Sequence, residues 1–325
     1  MSLLVVSYYY AKKYFGANHF ASCLQMTRSF LLFLLAVIKA AQATPADAQA
    51  EAPTPERVLQ KLIKGPVVGV GGDPHITTWA KEHYEYHGQC DLVMLKDEEF
   101  ANGLGLHIHI RTKIVQNWSY IKTAAIQIGN ETLEVEASAD TQDPEPHYWI
   151  NKQYQGELNT IGGFPITQKL PKTYQHSYKI DLSDKYPGHD IAVQLFKGFV
   201  RVKMHGQDIA AFGASVGLMG DLKTGKTFAR DGSTVLDDYT ELGDEWQVQP
   251  SEPMLFHNAA HPQFPEPCIK PEDPHGEQYR RQLGESDVSI EEAETACATL
   301  EDPLSIKDCV YDVLATQDLE MVGAF

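Results

Sequence analysis

The amino-acid sequence predicts a mainly β protein, an antiparallel β-sandwich followed by a small disulfide-stapled α-helical unit. Three observations predict it. Between about Val67 and Val248 the chain runs in short alternating or β-branched stretches separated by Gly, Pro, Asn and Asp. Gly129-Asn130, Lys197-Gly198 and His205-Gly206 are two-residue connections of the tight-hairpin kind. After Trp246 a Pro-rich stretch leads into residues of helical composition.

In order, the predicted strands are Tyr84–Leu95, Leu104–Val115, Ile121–Ile128, Glu131–Glu136, His147–Ile150, Tyr174–Asp181, Asp190–Phe196, Phe199–Met204 and Gln207–Phe212. So many hairpin-linked strands imply two sheets packed face to face. Ser289 with Glu292 forms the pattern of a capping box and opens a helix through Leu300; Pro303–Thr316 reads as a second helix. Cys297 lies on the first and Cys309 on the second, so one disulfide would staple a helical hairpin too small to bury enough surface by itself.

The ends and the charge bound the function. Arg28, the apolar run from Phe30 to Ile38 and Ala41-Gln42-Ala43 give the three parts of a secretory signal, expected over residues 1–43 and beginning more naturally at Met26. Residues 44–64 read as a disordered linker, 65–250 as the sandwich domain, 251–280 as a Pro-rich linker and 281–325 as the helical unit. The apolar run is too short to span a bilayer, so no membrane span is expected in the mature chain. A formal net charge of −17 excludes the basic surface that nucleic acid requires. With Cys23 removed in the signal, Cys90, Cys268, Cys297 and Cys309 remain, an even set in an oxidising compartment. Asn117 and Asn130 head glycosylation triplets of the Asn-X-Ser/Thr form.

Gly72-Asp73-Pro74-His75, the aromatic run Tyr84-Glu85-Tyr86-His87-Gly88-Gln89-Cys90, Gly217-Leu218-Met219-Gly220-Asp221 and Gly243-Asp244-Glu245-Trp246 occur in that order. Together they resemble the opening, middle and closing signatures of a von Willebrand factor type D domain. That resemblance implies a secreted module of interaction or adhesion without catalysis, its partners being extracellular macromolecules such as matrix, cell wall or its own copies. It also implies a Cys90–Cys268 disulfide. The family's other usual bond joins a cysteine before GDPH to one at the position of Met219; here both are missing. Calcium is the implied cofactor, with Asp73, Asp221 and Asp231 supplying the oxygens a hard cation needs. Lys223 is a departure that opposes it, and Asx caps of turns are the competing reading of these aspartates. Some members of the family break their own Asp-Pro bond; Asp73, Pro74 and His75 would do so here, although an intact bond is the expectation.

Other chemistry is weaker. His107 and His109 alternate onto one strand face with His83 and His87 nearby, but no zinc-binding spacing or third ligand accompanies them, and a solvent-facing polar stripe is the simpler reading. Ser215 sits in a GxSxG pattern without the strand-to-helix elbow that a hydrolase needs. A carbohydrate-binding module, suggested by Trp118, Tyr148 and Trp149, is the alternative function, and a secreted hydrolase the more remote one.

Overall fold

The computed structural model describes residues 67–72, 74–115, 118–138, 145–172, 174–259, 261–272 and 288–325. The signal and first linker, Asp73 and Asn117 therefore lie outside the described residues, as does the side chain of Trp118.

Two antiparallel sheets make the body. Strands β1 (Val67–Gly71), β2 (His75–Thr77), β3 (His83–Glu85), β10 (Thr160–Ile161), β11 (Phe164–Lys172), β12 (Gln175–Asp181), β13 (Asp190–Phe196) and β14 (Phe199–His205) form one, ordered β10-β11-β12-β13-β14-β1-β2-β3. The other is the meander β4 (Asp91–Asp97), β5 (Leu106–Val115), β6 (Trp118–Ile128), β7 (Glu131–Glu136), β8 (His147–Ile150) and β9 (Gln153–Tyr154). Burial alternates residue by residue along β12 and β14, as one core face and one open face require. Val70, Ile191 and Val202 from the first sheet share a core with Leu92, Ile108, Ile110 and Ile126 from the second.

Several elements depart from expectation. The run Tyr84–Leu95 is not one strand: β3 belongs to the larger sheet and β4 to the smaller, and Tyr86–Cys90 crosses between them. Strand β11 is unexpected, since it carries Pro165 and Pro171; Pro165 pairs with Thr160 of the two-residue strand β10, and Pro171 falls in the register break between Lys169 and Lys172. Gln207–Phe212 is not a strand. Asp208 accepts a hydrogen bond from Ala210 N and caps a short helix, α1 (Ile209–Phe212); a four-residue apolar run fits either structure. A second helix, α2 (Tyr239–Glu245), precedes Trp246.

The stretch expected as a Pro-rich linker is a strap. Over 247–259 and 261–272 it lies on the outer face of the smaller sheet, tied by bridges Leu92↔Gln247 and Gln89↔Ile269 and by the Cys90–Cys268 disulfide. Leu255 and Phe256 bury against Ala125 beneath it. This cover corrects the reading of His107 and His109: both are buried, His109 to 1 % exposure, because the second face of β5 is not open to solvent.

Helices α3 (Ile290–Cys297) and α4 (Pro303–Thr316) form the C-terminal unit, joined by Cys297–Cys309. Ser289 and Glu292 make the reciprocal capping box. Val288, Ala293, Val313 and Met321 pack with Phe196 of β13, which seats the unit on the larger sheet. Among the described residues no helix is long and apolar enough to cross a membrane.

Candidate metal centre beneath helix α4

The side chains that converge do so where the GDPH strand meets the C-terminal helix. In the β2–β3 hairpin His75 lies opposite Glu85 and Thr77 opposite His83, so these four share one face. The imidazoles of His75 and His83 stack with centroids 5.7 Å apart. One donor atom from each of His75, His83 and Glu85 lies within 4.8 Å of the others. His87, on the crossing segment, places Nε2 3.5 Å from Glu85 Oε2. That contact and the neighbouring His75 hold the Glu85 carboxyl down to about 2 against the opposing effect of burial, so it is ionised.

Helix α4 supplies the roof. Asp308 and Asp312, one turn apart, point the same way and are both buried. Asp308 Oδ1 is 3.0 Å from His83 Nε2 and 3.7 Å from His75 Nδ1; Asp312 Oδ1 is 3.5 Å from His75 Nε2. The close approach needs Gly72, since a Cβ there would sit 2.5 Å from Asp312 Oδ2, and its φ of +61° also favours glycine. Arg201, stacked over the Phe325 ring at 3.8 Å, balances Asp312 and Asp308 electrostatically, while its own burial lowers its pKa.

His83 Nε2 and Asp308 Oδ1 are close without hydrogen-bond geometry. Donors in tetrahedral zinc sites, with bonds of ~2.0–2.2 Å, stand roughly 3.3–3.6 Å from one another. The spacings of 3.6 Å from His75 Nδ1 to Glu85 Oε1 and 3.7 Å to Asp308 are close to that length. Two imidazoles with carboxylates suit a transition ion better than calcium, which takes oxygen.

Of the three residues expected to hold calcium, Asp221 and Asp231 have partners within their own turns, and Asp73 lies outside the described residues. Asp221 Oδ1 accepts from Thr224 N at 2.6 Å and Thr224 Oγ1 at 2.7 Å. Asp231 accepts from Ser233 N, Thr234 N and Thr234 Oγ1, bonds that hold its carboxyl well below the usual range. Each closes its own turn. The two family-like signatures do meet: Trp79 N donates to Met219 O, and Tyr84 Oη donates to Leu218 O. Ser215 is fully buried, and its Oγ accepts from Trp79 Nε1 at 3.0 Å. Asn130 is exposed in the β6–β7 turn.

The sequence reading missed this hairpin, running Tyr84–Leu95 as one strand, although His75 and Thr77 alternate before a short turn and His83 and Glu85 after it. Asp308 and Asp312 gave no such signal, because only long-range packing brings them in. No family model matches the chain, and no curated protein matches it.

Proposed function

We propose that this chain is a secreted, non-catalytic interaction module of the von Willebrand type D kind, in which a divalent transition-metal ion held by His75, His83 and Glu85 braces the helical unit against the sandwich. The observation that carries the metal reading is the approach of His83 Nε2 to Asp308 Oδ1 at 3.0 Å outside hydrogen-bond geometry, beside two further donors. Charge supports it. Glu85, Asp308 and Asp312 bring three carboxylates together against the cations Arg201 and Lys307, and a divalent ion between neutral imidazoles would offset the negative charge that remains. The competing arrangement is a network of imidazolium–carboxylate pairs.

Two disulfides and the signal-like N-terminus favour an extracellular setting, where the partners would be matrix, cell wall or a second copy. For carbohydrate binding, Trp149 offers at most one ring face, because His257 stacks on the other at 4.0 Å.

Chelator-stripped full-length protein, titrated calorimetrically, takes up one equivalent of zinc, and His83→Gln does not. At one hundred times the dissociation constant zinc adds about 2.7 kcal/mol to wild-type stability. Uptake that is equal in both proteins, or missing from the wild type, assigns the cluster to ion pairs instead. A parallel calcium titration reads the shell implied by resemblance: a calcium-induced rise in Tm lost in Asp221→Ala would place calcium there.

A further inference from the structure

A cavity of about 130 Å3 lies on the outer face of the larger sheet, where the C-terminal residues cross it. One cross-strand row runs along its floor: Ser177 of β12 stands opposite Gln194 of β13, and Gln194 opposite Arg201 of β14. The 3-10 turn Leu319–Ala324 and Phe325 close over it, so that Met321, Ala324 and Phe325 join Phe196 and Phe199 in an apolar wall. Among the described residues no hydrogen bond or ion pair engages the side chains of Ser177, Gln194 or Arg201, and none of their polar atoms is sealed from solvent. Asp312 also lines the cavity, but both of its carboxyl oxygens are shut off from solvent and do not face it.

The arginine is held in place. Its guanidinium carbon sits 3.8 Å from the centroid of the Phe325 ring. Gly71, its partner on β1, clears the space beneath, since a Cβ there would meet Arg201 Nε at 2.3 Å. Lys203 Nζ donates to Phe325 O at 3.2 Å and so fixes the residue that carries the ring. Stacking covers a face of the guanidinium plane and leaves its N–H groups, which lie in that plane, unused.

We propose that this cavity binds a small monocarboxylate, with Arg201 as the anion receptor and Gln194 and Ser177 completing its hydrogen bonds. The parallel N–H groups of a guanidinium match the two oxygens of a carboxylate, and the amide and hydroxyl add further donors. Charge limits the ligand to a monoanion: Arg201 is the only arginine or lysine in the lining, and Asp312 and Asp308 already act on it electrostatically. A cation would meet the guanidinium unopposed by any open carboxylate. Size follows from volume. A cavity of ~150 Å3 holds benzene, so this one admits a carboxylate with a short tail, which the rings of Phe196 and Phe199 receive. None of His75, His83 and Glu85 lines the cavity, and failure of the metal reading leaves this one standing.

The test follows the methyl resonance of propionate, and separately of propionamide, by NMR as each is titrated into full-length protein in a buffer free of carboxylates. The wild type binds propionate in the millimolar range and propionamide at least about tenfold more weakly, the lower end of what a hydrogen bond to a charged group supplies. Inorganic phosphate does not displace the propionate. Arg201→Gln brings the two affinities together. Ser177→Phe, which fills the floor with a residue that strands favour, blocks propionate and serves where Arg201→Gln fails to fold. No wild-type binding at millimolar propionate means that the chamber holds ordered water only and overturns the proposal. So do equal wild-type affinities for acid and amide, displacement by phosphate, a preference that survives in Arg201→Gln, or binding unchanged in Ser177→Phe.

Discussion

His109 shows how one buried side chain sets a pH dependence. Folding excludes its proton: the native pKa lies near 3, against an ordinary value of 6.5. Below about 6.5 the unfolded chain binds a proton that the native state refuses, so the stability His109 contributes is complete above that pH and is lost as pH falls toward 3. His107, Arg230 and Lys96 act in the same direction as burial, whereas Asp91 and Glu252 are held by their arginines. Between pH 6 and pH 4 wild-type stability should fall about 1 kcal/mol per pH unit more steeply than that of His109→Phe. Parallel urea denaturation series measure the difference, and equal slopes would show that the ring is solvated. His109 was visible in the sequence as one of an alternating pair, but its burial was not. Nothing local to β5 says that a Pro-rich segment more than a hundred residues later covers that face.

Among elements, those with a complete local signal were legible and those decided by tertiary packing were not. Pro303–Thr316 has Asp302 to cap it and Pro at its start, and β7, β8 and β13 end at turn residues, so their boundaries could be read directly. Strand β11 owes its place to pairing with β12 across Ile166↔Ile180 and Gln168↔Tyr178, which overrides its prolines. The α3–α4 hairpin carries its own prediction. Its disulfide closes a loop with a sequence separation of 12, worth roughly 3 kcal/mol in the chain-entropy model. The hairpin touches the sandwich through Phe196, through Ala315 and Tyr311 packed with Tyr120 and Phe199, and through the carboxylate–histidine contacts. Replacing both Cys297 and Cys309 by Ser should therefore speed amide exchange in α3 and α4 at least tenfold while the interior of β13 keeps its protection. Equal acceleration in β13 would mean that the hairpin and the sandwich open as one unit.

At the scale of the whole molecule, the Cys90–Cys268 bond couples the sheets' crossing point to the strap. Cys90 ends the segment that carries the chain from β3 to β4, and its amide donates to Thr112 Oγ1, whose hydroxyl in turn donates to Gly88 O. Cys268 sits at the far end of the strap, beside the Gln89↔Ile269 bridge. One covalent link thus pins the strap over β5 and steadies the hairpin that bears His83 and Glu85. Its sequence separation of 178 makes it the more stabilising of the two bonds, about 5 kcal/mol if native strain is ignored. At roughly 2–4 °C per kcal/mol for a domain this large, Cys90→Ser with Cys268→Ser should lower Tm by about 10–20 °C. The loss should be uneven. The strap then remains through its bridges, the Leu255 and Phe256 contacts and the hydrogen bonds of Asn258 with Arg111 and of His257 with Glu134, so exchange across 247–269 should rise first. Zinc uptake should persist below the new Tm, because β2, β3 and α4 keep their own pairings. Calorimetric melting, amide exchange and the zinc titration on one preparation separate these effects. Loss of zinc uptake together with faster strap exchange would show that the strap and the metal centre are parts of one cooperative structure, joined through the crossing segment Tyr86–Cys90.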